Sequence, residues 1–215
     1  MKTTISLTAI LAIVLYLFPV TGHAADAPGV SPEKVAEYIY AVIESHRAFY
    51  TVHVVERLEE QGGIKVVLSG GSAVSFYSSN KYVSKDLDLI NTSFARRSKI
   101  RSVMEQLGFQ EQGRYFINPV TQFFVEFPAG PLSVGEEPVK EISEYKLSTG
   151  TLRVVSATDC VKDRLCAFYF WNDLQGLAQA VLVAKNQKVD LAEIKRWSRS
   201  EGKELEYEIF KKKLG

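Results

Sequence analysis

GGSAVSFYSSNKYVSKDLDLI, running from Gly70 to Ile90, is the stretch whose reading decides the fold. Just ahead of it, Ile64 to Leu68 is a short apolar run rich in β-branched residues, the pattern of a buried strand. Gly70-Gly71-Ser72 breaks that strand, and Ala73, Val74, Phe76 and Tyr77 continue as a short helix. Asp86-Leu87-Asp88-Leu89-Ile90 reads as the next strand. Alternate residues of a strand share a face, so Asp86 and Asp88 point one way while Leu87 and Leu89 point the other. The leucines give this strand a core to hold. The two carboxylates repel each other unless a cation stands between them. Hard oxygen ligands on one rigid face suit Mg²⁺ or Mn²⁺, with coordination positions left over for water and phosphate. Taken alone, an Asp-x-Asp pair is more often a solvated strand face.

Two further features bear on that choice. Glycines at 70 and 71 let the backbone approach a phosphate closely, and the helix that follows presents free N–H groups and the positive end of its dipole. Farther along, Tyr115 to Ile117 and Gln122 to Phe127 read as paired strands joined by a turn at Asn118-Pro119. Phe123, Val125 and Phe127 share one face of the second strand, leaving Glu126 on the other with Gln122 and Phe124. An acid in so apolar a strand is costly without a partner.

Together these residues resemble the nucleotidyltransferase superfamily that includes DNA polymerase β. That family carries a Gly-Gly or Gly-Ser element after a strand, an acidic pair on a following strand and a third acid on a later one. The segment Gly70–Ile90 looks particularly like the minimal members related to the AbiEii-type abortive-infection toxins. The resemblance spans roughly residues 60–175. It implies a mixed-sheet α/β domain that transfers a nucleotidyl group from a nucleoside triphosphate such as ATP, using two divalent metal ions. Asp86, Asp88 and Glu126 are the implied metal-binding and catalytic acids, and Gly70, Gly71 and Ser72 the implied phosphate cradle. Those relatives often carry arginine shortly before the acidic pair, where this chain has Ser84-Lys85, so Lys85 is the candidate phosphate contact. They also carry a lysine on a later helix, matched here by Lys162, and Asp173 matches a later aspartate. The acceptor is left open between RNA, protein and a small molecule. The alternatives are a toxin-like transferase acting on RNA or protein, and a non-catalytic nucleotide-binding module that kept the fold. Clustered charge is costly to retain without a metal, which argues against the second.

From Ser156 onward the pattern turns helical. On the helix from Asp159, a wheel at about 100° per residue puts Asp159, Lys162, Asp163, Cys166, Tyr169 and Asp173 on one side. Val161, Leu165 and Phe168 fall on the other, which reads as the core-facing side. Asp190 with Glu193 three residues later has the spacing of a capping box. Ile100, Val103, Met104 and Leu107 form an amphipathic helix ending at Gly108, and Pro128 to Pro138 reads as a loop. Ile142 to Leu147 and Thr151 to Val155 make a hairpin around Thr149-Gly150. The organisation is a leader at 1–24, a nucleotidyltransferase-like α/β domain at 25–155 and a helical C-terminal segment at 156–215.

Composition limits the partners. The 215 residues hold 26 basic and 25 acidic side chains, a formal net charge of +1, which gives no electrostatic case for non-specific DNA binding. Arg96, Arg97, Lys99 and Arg101 form a local basic cluster that reads as a solvated helix face. Three histidines and two cysteines lack the spacings of a zinc site. Cys160 and Cys166 sit about 9 Å apart along a helix, beyond the roughly 7 Å reach of a disulfide. Lys2, the apolar run Ile5 to Val20 and the small residues Gly22 and Ala24 match a secretory signal peptide cleaved after Ala24. An uncleaved anchor, which would bring the chain to a membrane, is the second reading, and a misassigned start in a cytoplasmic protein the third.

Overall fold

Val66, Val67 and Leu68 are consecutive and all buried, so the strand they form is covered on both faces, as its unalternating apolar run requires. In the computed structural model, residues 51, 53–119, 121, 123–147 and 150–215 are described, all within one unit, Glu44–Gly215. The expected leader at 1–24, together with Gln122 of the expected strand and Thr149 of the expected turn, lies outside the described residues. No described helix is long and apolar enough to cross a membrane.

Helix α1 covers residues 53–62 and ends where Gly63 donates to Glu59 O at 2.8 Å. Strand β1 is Val66–Ser69, two residues later than the apolar run suggested. Helix α2 (Gly70–Tyr77), strand β2 (Asp86–Asn91) and helix α3 (Arg97–Gln106) follow in the expected order. Strands β4 (Tyr115–Ile117) and β5 (Phe124–Glu126) pair antiparallel, with Tyr115 opposite Glu126. Strand β3 (Gln110–Gln112) was not apparent from the sequence, and the stretch read as a loop contains a two-stranded ladder, β6 (Ser133–Val134) and β7 (Glu137–Pro138). Both lack apolar alternation because they lie at an edge or outside the main sheet, where backbone pairing alone defines a strand. Strands β8 (Ile142–Leu147) and β9 (Gly150–Val155) form the expected hairpin.

The main sheet has seven strands in the order β3-β4-β5-β2-β1-β9-β8. It is mixed: β2 runs parallel to β5 and β1 parallel to β9, while β1 and β2 are antiparallel. The end of β1, the start of β2, β5 and the end of β9 therefore share one edge of the sheet, and Ser69 pairs with Asp88 there. Four helices complete the chain: α4 (Ala157–Trp171), α5 (Leu174–Asn186), α6 (Leu191–Ser200) and α7 (Glu204–Leu214). The chain is thus a mixed-sheet α/β fold followed by a helical C-terminal segment. Asn172, with φ of +53°, turns α4 into α5.

The wheel reading of α4 is corrected by its surroundings. Asp159, Lys162 and Tyr169 are buried, as are Val161, Leu165 and Phe168 on the opposite side. Helices α2, α5 and α6 and strand β6 all pack on α4, so its charged side is internal. Tyr169 stacks on Trp197 of α6 at 5.6 Å and shares a hydrogen bond with Ser198 at 2.8 Å. The Trp197 indole donates to Val134 O at 3.3 Å, tying the small ladder to the helices. Asp173 and Asp190 cap α5 and α6: Asp173 accepts from Gln175 N, and Asp190 from Ala192 N and Glu193 N. Only half of the capping box forms, because the Glu193 carboxylate turns to Lys162 and Arg196 instead. Cys160 and Cys166 are free thiols.

Candidate metal centre

Strand pairing brings the three acids together. Asp88 lies opposite Glu126 in the parallel β2–β5 ladder, and Asp86 stands two residues away on the same face of β2. Each of Asp86, Asp88 and Glu126 offers a carboxylate oxygen, and these oxygens all lie within 4.8 Å of one another. All three side chains are partly buried. The group could hold a metal ion, and its all-oxygen donor set is the kind that suits Mg²⁺ or Mn²⁺.

The protein's own charges do not neutralise this cluster. Burial first, then the charges of Asp86 and Glu126, push the Asp88 carboxyl up to about 7. Arg164 pulls the other way, and Asp163 adds to the rise. Arg114 reaches Glu126 at 3.4 Å, but that arginine is largely solvated, with 69% side-chain exposure.

Gly70 is where the cradle and the acids meet. It has φ of +57°, and a β-carbon placed on it would stand 2.1 Å from Asp88 Oδ2. The Asp88 carboxylate therefore rests directly on the Cα of Gly70, at the start of α2. A β-carbon on Gly71 would meet Ser84 Oγ at 2.8 Å. Ser72 is buried, and its hydroxyl donates to the backbone oxygen of Asp86. In this structure that hydroxyl locks α2 onto β2. Ser84 donates to Asp86 Oδ1, and its own N–H goes to Ser75 Oγ at 2.9 Å. Lys85 is exposed, next to Asp86.

Lys162 sits apart from this arrangement in its bonding. Its ammonium pairs with Asp159 at 3.2 Å and Glu193 at 2.7 Å, with 7% side-chain exposure. Those residues line a cavity of about 280 Å³ that also includes Glu137, Ser156 and Asp190. Arg97 and Arg101 of the basic cluster both pair with Glu111, and Arg97 also lies over the Phe116 ring at 4.6 Å.

Sequence reasoning missed Ser84, Arg114 and Arg164. Ser84 was legible, since it lies two residues before Asp86 on the same alternation. Arg114 depends on the β3–β4 hairpin, whose first strand, Gln110–Gln112, carries no apolar signal. Arg164 depends on the packing of α4.

No protein-family model matches the chain, and no curated protein matches it in sequence. Two solved structures resemble its fold. One is the solution structure of the antibiotic-resistance factor ANT(2'')-Ia, at 15% identity, covering 76% of this chain and 97% of that one, with a TM-score of 0.47. The other is the crystal structure of ANT(2'')-Ia in complex with adenylyl-2''-tobramycin, at 13% identity, covering 79% and 99%, with a TM-score of 0.45.

Proposed function

We propose that this chain is a metal-dependent nucleotidyltransferase of the minimal, AbiEii-like kind, which moves a nucleotidyl group from a nucleoside triphosphate to an acceptor hydroxyl. The observation that carries the reading is the convergence of Asp86, Asp88 and Glu126 within 4.8 Å, against the backbone of Gly70. Three acids held this close, one of them pushed up to about 7, leave negative charge that only a cation or protons can balance. Divalent cations held there by Asp86, Asp88 and Glu126 would supply charge neutralisation for the triphosphate and the developing transition state.

The chain's own groups divide the remaining work. Asp86 and Asp88 would hold the metals, Asp86 fixed in orientation by Ser84. Glu126 would complete the ligand set and take the proton of the acceptor hydroxyl as its oxygen bonds to the α-phosphorus, while the α–β phosphoanhydride bond breaks and pyrophosphate leaves. The start of α2 at Gly70 and Gly71 offers backbone N–H groups to the phosphates. Ser72 keeps that turn seated on β2 by its bond to Asp86 O, and Lys85 stands in solvent next to Asp86.

The test is to incubate the full chain with each common ribonucleoside triphosphate, labelled at the α-phosphate, with Mg²⁺ or Mn²⁺ and a panel of RNA, protein and small-molecule acceptors. Label transferred by wild type and lost in Asp88→Asn supports the reading. Metal-dependent nucleotide binding without transfer to any acceptor class points to the non-catalytic module. Absence of metal and nucleotide binding would overturn the proposal.

A further inference from the structure

Helix α7 has two apolar sides, and the fold buries one of them. Tyr207 and Phe210 are buried where α5 and α6 pack on α7, and the Tyr207 hydroxyl donates to Leu191 O at 3.4 Å. Leu205 and Ile209 are four residues apart, about one turn, so they stand together on the outer side. Leu205 is 81% exposed and Ile209 46%. The apolar surface continues beyond this helix. Lys203, just ahead of α7, lies over the Phe170 ring at 5.3 Å, and Phe170 meets Trp171 edge-on at 6.1 Å between centroids. Leu174 opens α5 three residues later. Trp171 is 76% exposed and Leu174 66%. Phe170, Trp171, Leu174, Leu205 and Ile209 thus make one surface from three helices. Contiguous exposed apolar surface of this kind marks an interaction site.

The charges on α7 say what fits there. Glu208 and Lys212 are both exposed and lie at the third and seventh residues after Leu205, so they share its stripe with Ile209. Glu204 is paired with Arg199 and Glu206 with Lys203. Among the described residues, Glu208, Lys211, Lys212 and Lys213 form no ion pair. The outer stripe is therefore acidic toward the start of the helix and basic toward its end. A second α7 laid antiparallel, crossing at Ile209, sets the two Ile209 side chains against each other. Glu208 of each copy is then offset from Lys212 of the other by two residues, about 3 Å along the axis. The two-fold axis forms that pair twice. An anionic membrane fits less well, because Glu204 and Glu208 border the apolar surface.

We propose that this face joins two copies of the chain in an antiparallel, two-fold α7–α7 contact. Leu205 and Ile209 lie at its centre, Phe170, Trp171 and Leu174 extend it, and the Glu208–Lys212 pairs fix its direction. The apolar side chains supply the affinity, and the exposed charges supply orientation more than strength. None of these residues belongs to the carboxylate cluster, so the contact stands apart from the chemistry proposed there.

The experiment is sedimentation of the full chain at low ionic strength, where exposed charges are least screened. Wild type is compared with Ile209→Glu, Glu208→Lys, Lys212→Glu and the double variant Glu208→Lys/Lys212→Glu. Wild type should form dimers, and Ile209→Glu should weaken them by about tenfold or more. Each single charge reversal should weaken them too, because like charges then meet twice. The double variant should regain dimers, since the pairs return with their signs exchanged. So should an equimolar mixture of the two single variants, in which one copy carries lysines at both positions and the other glutamates. Recovery in the mixture also shows that both single variants are folded.

Wild type that stays monomeric up to about 100 μM would overturn the proposal. So would association that Ile209→Glu leaves unchanged, or a mixture that does not recover. Monomeric wild type that binds vesicles of phosphatidylglycerol and phosphatidylcholine, and loses them in Ile209→Glu, would give the face to a membrane and overturn it as well.

Discussion

Gly70 and Asp88 stand so close that a β-carbon on the glycine would lie 2.1 Å from the carboxylate oxygen Oδ2. The glycine also has φ of +57°, so two separate demands fall on one residue. Gly63 supplies the comparison, since it has the same φ of +57° with nothing within 4 Å of its would-be β-carbon. Gly63→Ala should therefore cost only the backbone strain, about 1 kcal/mol in urea denaturation. Gly70→Ala should cost about 1–3 kcal/mol, because a fixed neighbour must also give way. It should also lower Mn²⁺ affinity, since Asp88 has to turn out of the cluster. Equal effects of the two substitutions on metal binding would show that the contact does not matter to the site.

Asp88 makes the metal-free protein sensitive to pH in a definite direction. Its carboxyl titrates near 3.8 in the unfolded chain and is raised to about 7 in the fold. Between those values the folded state holds the proton that the unfolded chain has released. Its contribution to stability is therefore most favourable below about 3.8, weakens as pH rises, and levels off above about 7. Asp88→Asn removes the charge and keeps the shape. In the presence of chelator, its melting temperature relative to wild type should climb as pH goes from acid through neutral to about 8. A difference that stays constant across that range would mean that the carboxylate is not strained by its neighbours. Added Mn²⁺ should stabilise wild type and leave Asp88→Asn nearly unmoved.

How far the site could be read from the sequence follows from which signals are local. Asp86 and Asp88 were legible because strand alternation places them on one face whatever the rest of the fold does. Glu126 was legible for the same reason, as the odd acid among Phe123, Val125 and Phe127. Strand β3 was not, because Gln110-Glu111-Gln112 has no apolar residue at all. It exists through its register with β4, which sets Gln110 opposite Ile117. Without that hairpin, Arg114 beside Glu126 could not be placed. Helix α4 misled for a different reason. A wheel assumes that charge faces water, yet α4 is packed by other elements on both of its sides, so Asp159 and Lys162 became internal.

The leader makes a prediction of its own. We propose that residues 1–24 act as an export signal, on the strength of Lys2, the apolar run Ile5 to Val20 and the small residues at Gly22 and Ala24. Mass spectrometry of the protein from its native cell should then find an N-terminus at Ala25. Recovery of intact Met1 in the membrane fraction would favour an anchor. A shorter cytosolic form would favour a later start.

Lys162 yields the sharpest prediction about stability. Its ammonium is almost fully enclosed and bridges Asp159 of α4 and Glu193 of α6. Arg196 extends the chain, binding both Glu193 and Glu137, so one network links α4, α6 and the β6–β7 ladder. Arg196 first, and Lys162 with it, draw the Glu193 carboxyl down to about 2 from an ordinary 4.5. A carboxylate whose value is lowered by folding stabilises fully above its unfolded value and loses that contribution as pH falls through the folded one. The Glu193 contribution should thus be intact above about 4.5 and fade toward 2. Lys162→Met removes the buried charge and leaves Asp159 bonded to Ser156 and Glu193 bonded to Arg196. Breaking a buried pair costs about 3–5 kcal/mol when the remaining charge is stranded. The two surviving partnerships reduce that here, to about 1–3 kcal/mol at neutral pH. The deficit should shrink as the medium is acidified toward about 2, where Glu193 takes up its proton in wild type as well. Chemical denaturation of wild type and Lys162→Met at neutral pH and near pH 2 measures it. An unchanged stability at neutral pH would show that the three-member bridge contributes nothing net, and that α4 and α6 are held by Tyr169, Trp197 and their apolar neighbours alone.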